Sequence, residues 1–138
     1  MTPVVIIVED NELDAERIQR LTRKLEVDVE LSWAKDGVAA MEQIRAADEL
    51  PIGLIVDLNM PRMGGWELVA AIRAQEPYAH LPISVCTTSA HPNDLLAARE
   101  AEVTSYVVKP ITDVELRVIL NGFLTSHRAR LARNEHAG

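Results

Sequence analysis

Short apolar runs alternate with segments of helical periodicity along the whole chain. Four short runs, at residues 4–8, 54–56, 83–86 and 106–108, are predicted strands. The first of them is apolar on both faces, which is typical of a strand covered on two sides. Between residues 27 and 33, apolar and polar residues alternate, as expected of a half-exposed strand at a sheet edge. The pattern therefore predicts five strands.

The segments that follow these strands carry apolar residues at helical spacing. Helices are predicted over 14–25, around Met41, around Leu68 and over about 93–101. The last helix has the widest apolar stripe, formed by Leu116, Ile119, Leu120, Phe123 and Leu124. Five consecutive strand–helix units indicate an α/β fold, with a parallel sheet and helices on both of its faces.

The composition fits one globular domain. The chain has 138 residues, 48% of them apolar and 25% charged. Its apolar runs are shorter than the ~18 residues of a membrane span, and no basic residue precedes the first run, as it would in a signal peptide. The single cysteine, Cys86, cannot form an internal disulfide. We therefore expect a cytoplasmic protein without membrane contact.

The net charge of −7 disfavours a direct role in binding DNA, because non-specific attraction to phosphates depends on clustered lysine and arginine. DNA is therefore not expected to be a direct partner.

Polar residues follow four of the predicted strands. Glu9 and Asp10 come after the first, Asp57 after the third, Thr87 after the fourth and Lys109 after the fifth. Ligands of open α/β sheets bind beyond the carboxyl ends of the strands, so these side chains are expected to meet there. Each alone is usually a turn residue, a helix cap or a solvated side chain, but their joint placement indicates a site.

Such a site needs a counter-charge, because two carboxylates ~4 Å apart repel each other by about 4 kcal/mol at an effective dielectric near 20. Mg²⁺ suits it, since this ion is held by one or two carboxylates, waters and a phosphate oxygen. Lys109 can pair with a carboxylate in one state and with a phosphate in another. The residues therefore predict a site for Mg²⁺ and a phosphoryl group.

The motifs identify a family. The chain resembles the receiver domains of bacterial two-component response regulators over nearly its whole length, in the segments Val8-Glu9-Asp10-Asn11, Val56-Asp57-Leu58-Asn59-Met60-Pro61-Arg62-Met63-Gly64-Gly65, Thr87-Thr88-Ser89 and Ser105-Tyr106-Val107-Val108-Lys109-Pro110. The resemblance implies a flavodoxin-like, doubly wound fold of five parallel strands in the order 2-1-3-4-5. The half-exposed second strand would form one edge.

The resemblance also implies a metal site. Asp57 would accept a phosphoryl group from a sensor histidine kinase or a phosphotransfer protein. Asp10, Asp57 and the backbone carbonyl of Asn59 would bind Mg²⁺ directly, and Glu9 would bind it through water.

Three further residues are implied to contact the phosphoryl oxygens, namely Thr87, Thr88 and Lys109, and the Lys109–Pro110 peptide bond would be cis. Thr87 and Tyr106 would form a switch, in which Tyr106 turns inward once Thr87 moves toward the phosphoryl group. The surface formed by the fourth helix, fifth strand and fifth helix would then signal to a downstream protein that the sequence does not name, or join two copies in a homodimer.

Some positions depart from the family pattern. Glu102 stands where a glycine commonly ends the fourth helix, which puts the end of that helix in doubt. Thr88 replaces a more frequent alanine and crowds the phosphate entrance. Gly53 replaces a frequent leucine, at an expected local packing cost.

The expected domain organisation is a receiver domain over residues 1–125 and a short basic tail over 126–138, with no output domain. The tail is expected to act as a solvated helix extension rather than as a docking segment.

Several alternatives use other chemistry or another role. A phosphate sink or phosphorelay intermediate would use the same site without an output of its own. A phosphatase of the haloacid-dehalogenase type needs a second aspartate at the position of Asn59, and a flavodoxin needs a hydroxyl- and glycine-rich loop after the first strand, where this chain has acidic residues. A metal-independent scaffold would show no response to Mg²⁺.

Overall fold

One parallel sheet forms the centre of the molecule. The computed structural model describes residues 2–137, with side chains up to Glu135. Within that range five strands pair in the order β2-β1-β3-β4-β5, all parallel. The strands are β1 (Val4–Val8), β2 (Glu30–Ala34), β3 (Gly53–Val56), β4 (Ile83–Thr87) and β5 (Ser105–Val108). The predicted doubly wound, flavodoxin-like fold is confirmed, with β2 at an edge.

Five helices connect the strands and cover the sheet on both faces: α1 (Glu12–Leu25), α2 (Gly37–Ala46), α3 (Gly65–Arg73), α4 (Pro92–Glu100) and α5 (Asp113–Ala137). Alternate residues of β1 enter two different cores, which is why this strand is apolar on both faces. Val5 and Ile7 pack in the core that includes α1 and α5 residues, whereas Ile6 and Val8 pack in the core that includes α2 and α3 residues.

Side-chain caps fix where several helices begin. The Asn11 side chain accepts a hydrogen bond from the backbone N–H of Asp14 at 3.1 Å, so α1 begins two residues earlier than the apolar pattern predicts. Thr112 and Glu115 form a reciprocal capping box at the start of α5, with hydrogen bonds of 3.0 and 3.1 Å. The residues directly before these two helices therefore define where the helices begin.

The segment of alternating apolar and polar residues at 27–33 forms a shorter strand than its pattern predicts. The N–H of Val29 donates to the carbonyl of Val27 at 2.9 Å, a local turn that uses this donor within the loop. Pairing with β1 begins only at Glu30.

The expected packing cost at Gly53 is wrong. A Cβ atom placed there would lie 2.5 Å from the ring of Phe123, and that ring is fully buried. The aromatic side chain from α5 therefore fills the space that a larger residue on β3 would occupy, and glycine is required for this close packing.

The doubt about the end of α4 is also resolved. Glu102 adopts the left-handed conformation with a φ of 55°, and its N–H donates to the carbonyl of Arg99 at 3.2 Å. The N–H of Val103 donates to the carbonyl of Ala98 at 3.1 Å. This pair of bonds is a Schellman motif, so α4 ends at Glu100 although the residue in the left-handed position is not glycine.

Helix α5 continues through the predicted boundary at residue 125 and ends at Ala137. The arginines of the predicted tail, Arg128, Arg130 and Arg133, thus lie on a helix continuous with the domain, whereas Gly138 lies outside the described residues. No helix in the described part of the chain is long and apolar enough to cross a membrane.

Candidate functional site

The residues predicted from the strand ends meet at the carboxyl edge of the sheet. Glu9 and Asp10 directly follow β1, Asp57 follows β3, and one carboxylate oxygen of each lies within 4.8 Å of the others. Glu9 and Asp57 are only 2% and 7% exposed, whereas Asp10 is exposed. Three hard oxygen donors this close together fit a divalent cation such as Mg²⁺.

The Lys109 ammonium contacts three carboxylates from different parts of the chain. Its Nζ lies 2.5 Å from Glu9 Oε1, 2.8 Å from Asp14 Oδ2 and 3.2 Å from Asp57 Oδ2. The sequence predicted the pairing with strand-end carboxylates but missed Asp14, in the first turn of α1. Asp14 lies one turn after Asp10, and helical side chains lean toward the N-terminal end of their helix, a signal that could have found it.

The charges at this edge do not cancel. Burial alone would lower the pKa of Lys109, but the hydrogen bonds to Asp14 and Glu9 and the charge of Asp57 outweigh it and raise that pKa. Burial raises the pKa of Glu9 to about 7, against the hydrogen bonds from Lys109 and the Asn11 N–H, which lower it. One ammonium therefore faces more carboxylates than it can neutralise, and the cluster favours an additional cation or proton.

Hydrogen bonds hold the backbone and the carboxylate of Asp57 in place. Its backbone N–H donates to the carbonyl of Val8 at 3.0 Å, and its Oδ1 accepts the N–H of Leu58 at 2.7 Å. The other oxygen, Oδ2, faces Lys109. A Cβ atom at Gly65 would lie 2.5 Å from the Asp57 carbonyl oxygen, so glycine lets the start of α3 approach this loop closely.

The two threonines at the end of β4 differ in environment. Thr87 is fully buried, and its Oγ1 accepts the N–H of Ser89 at 3.4 Å. Thr88 is exposed and lines a cavity of about 260 Å³ together with Lys109. Tyr106, half-buried on β5, donates its hydroxyl to the carbonyl of Ser89 at 2.8 Å. Ser89 therefore connects the two predicted switch residues.

A second network, which the sequence pattern did not predict, holds Ser89 against α4. The Ser89 hydroxyl donates to Asp94 Oδ2 at 2.5 Å, and the Trp66 indole donates to Asp94 Oδ1 at 3.0 Å. These hydrogen bonds, that of Ser89 first, lower the pKa of Asp94. Asp94 thus joins the loop after β4 to α3.

Three remaining features complete the site. Asn59 is exposed, two residues after Asp57 in the loop that leads to α3. The Lys109–Pro110 peptide bond is cis, the geometry that the family resemblance implies. The indole of Trp33, on β2, donates to the backbone carbonyl of Glu9 at 2.6 Å and so connects the edge strand to the residue that follows β1.

Several known proteins are similar to this chain. The model of the response regulator receiver domain matches residues 5–121. A probable methanogenesis regulatory protein, FilR2 of Methanothrix harundinacea, is 31% identical over 118 residues, covering 83% of this chain and 76% of the relative. A chemotaxis protein CheY homolog of Campylobacter jejuni is 32% identical over 120 residues, covering 87% and 91%.

Solved structures agree in fold. The Mn²⁺-bound form of response regulator Rcp1 superposes with a TM-score of 0.74 at 27% identity, over 86% of this chain and 90% of that structure. The phosphorylated cyanobacterial phytochrome response regulator RcpA gives a TM-score of 0.76 at 25% identity, over 88% and 91%. Sequence, fold and site geometry agree, and the chain belongs to the response regulator receiver domain family.

Proposed function

We propose that this protein is a phosphorylation-activated switch whose phosphoryl acceptor is Asp57. Receiver domains serve two-component signalling with histidine kinases and phosphotransfer proteins, and a kinase or a phosphotransfer protein would supply the phosphoryl group here. The observation that carries the proposal is the convergence of Glu9, Asp10 and Asp57 within 4.8 Å, with the Lys109 ammonium 3.2 Å from Asp57 Oδ2.

Mg²⁺ is the proposed cofactor. Asp10, Asp57 and the Asn59 carbonyl would hold the ion, and Glu9 would hold it through water. When bound, the ion supplies positive charge that offsets repulsion between the carboxylates and an incoming phosphoryl group. The donor set fits this role because it consists of closely spaced oxygen atoms.

The transfer step needs little beyond positioning and charge. Asp57 Oδ2 would attack phosphorus, and the bond from phosphorus to the donor atom would break, with its electron pair leaving on the donor. The Leu58 N–H on Oδ1 keeps the carboxylate oriented. Lys109, Thr87 and Thr88 would contact the phosphoryl oxygens, so the domain catalyses its own phosphorylation.

Signalling would follow from the contacts around Ser89. Movement of Thr87 toward the phosphoryl group would disturb the Ser89 N–H contact, and Tyr106 is bonded to the same residue. The surface of α4, β5 and α5 would change and act on a partner protein or a second copy. This surface exposes apolar side chains, with Leu96 55% and Val118 67% exposed.

The test is incubation with acetyl phosphate followed by intact mass spectrometry. We expect the wild type to gain one phosphoryl group with Mg²⁺ and none with a chelator present. Asp57→Asn should gain none, whereas Asp48→Asn, the same change at an exposed site, should behave as the wild type. Equal labelling of Asp57→Asn would show that the acceptor is another residue.

A further inference from the structure

All three N–H donors of the Lys109 ammonium have carboxylate partners. Glu9, Asp14 and Asp57 each contribute one oxygen at 2.5 to 3.2 Å from Nζ. A lysine ammonium has three donors and no more. Any new acceptor at this position, such as an oxygen of a phosphoryl group, must therefore displace or share an existing partner.

The three partners differ in how easily they can be displaced. The side chains of Glu9 and Asp57 are 3% and 8% exposed, whereas that of Asp14 is 40% exposed. A buried carboxylate that loses its ammonium is left unpaired in a low dielectric, but an exposed one gains water in exchange. The contact with Asp14 is therefore the least costly one to break.

Local structure places Asp14 beside the ammonium in a defined position. The N–H of Asn11 donates to Glu9 Oε2 at 3.1 Å, and the Asn11 side chain accepts the N–H of Asp14 at 3.1 Å. The cap of α1 is thus connected to Glu9 on one side and to Asp14 on the other. The carboxylate of Asp14 reaches Lys109 from the first turn of a helix whose start is fixed.

We propose that Asp14 is a positioning residue that holds Lys109 in the unphosphorylated state and competes with the phosphoryl group for its ammonium. This inference rests on the proposed function, since it concerns the same lysine. Asp14 contacts Lys109 directly only before phosphorylation, so its carboxylate stabilises the unphosphorylated form selectively. Removing that carboxylate shifts the balance toward the form in which Lys109 contacts phosphoryl oxygens.

The experiment measures the affinity of the phosphoryl mimic beryllofluoride in the presence of Mg²⁺ by titration calorimetry. We compare the wild type, Asp14→Asn, Asp14→Glu and Glu16→Gln. Glu16 is exposed on the same helix, and its side chain forms no ion pair with the residues that the structure describes. Glu16→Gln therefore removes an equal charge without affecting a contact of Lys109. Asp14→Asn should bind beryllofluoride about threefold more tightly than Glu16→Gln, as expected for a partly exposed ion pair.

Asp14→Glu keeps the charge and should return the affinity toward that of the wild type. Equal affinities of Asp14→Asn and Glu16→Gln would overturn the inference, because only general charge would then matter. Weaker binding by Asp14→Asn would also overturn it, since Asp14 would then help to aim Lys109 at the phosphoryl group. If the wild type itself binds no beryllofluoride, the proposed function fails first.

Discussion

Replacing Glu102 with glycine should stabilise the protein. Glu102 ends α4 with a φ of 55°, a conformation that costs a residue with a Cβ roughly 1–2 kcal/mol and costs glycine almost nothing. Its side chain is exposed, and no hydrogen bond or ion pair of that side chain is described. The backbone bonds of the Schellman motif remain available to glycine. The substitution loses the attraction between the Glu102 carboxylate and the Arg73 guanidinium, which is weak at an exposed site.

Glycine also gains freedom in the unfolded chain, which offsets roughly 0.5–1 kcal/mol of the relief. The net gain is therefore about 1 kcal/mol, or about 3 °C in Tm for a domain of this size. Urea unfolding should show a higher midpoint with an unchanged slope, because the exposed surface does not change.

The control is Ala101→Gly, one residue earlier. Ala101 has a φ of −82° and a ψ of 0°, a right-handed conformation in which glycine relieves no strain. Ala101→Gly should therefore leave the free energy of unfolding unchanged or lower it by up to about 1 kcal/mol. A lower midpoint for Glu102→Gly, or an equal rise for both variants, would refute the assignment of left-handed strain to Glu102.

Three further outcomes are expected. Arg73 donates to the carbonyls of Ala79, Leu81 and Ala101 at 2.7 to 3.2 Å, so Arg73→Met should lower the unfolding free energy by about 2 kcal/mol, measured with urea. Since burial raises the pKa of Glu9 to about 7, Mg²⁺ affinity measured by calorimetry should rise with pH through that value, and Glu9→Gln should flatten the dependence. The contacts of Asp94 lower its pKa, so they stabilise the fold at neutral pH and are lost on acidification. Thermal unfolding should therefore show that Asp94→Asn loses less stability than the wild type between neutral and acidic pH.

The sequence predicted the sheet and the main site because both follow from short-range patterns. A run that is apolar on both faces indicates a central strand of a parallel sheet. The residues that follow parallel strands meet at one edge of the sheet, irrespective of the segments that connect the strands. Glu9, Asp57 and Lys109 were expected to meet for this reason, and their side chains lie together at that edge. The alternation before Trp33 likewise placed β2 at the edge, although it did not show where pairing with β1 begins.

What the sequence did not predict depends on contacts between distant segments. Asp14 is one of several acidic residues on α1, and the pattern of α1 does not show which of them faces a lysine 95 positions away. The contact of Trp66 with Asp94 joins helices that share no periodic signal. The fit of Gly53 to Phe123 is similar, because a glycine in a strand reads as a packing defect until the ring that fills the space is known.

The most direct test of the account locates the phosphoryl group itself. Borohydride reduces an acyl phosphate to an alcohol, which converts a phosphorylated aspartate into homoserine. After treatment with acetyl phosphate and Mg²⁺, reduction and tandem mass spectrometry should find homoserine at position 57 and at no other aspartate. Homoserine at position 10 or 14 instead, or a phosphorylated protein that yields none, would contradict the assignment of Asp57 as the acceptor.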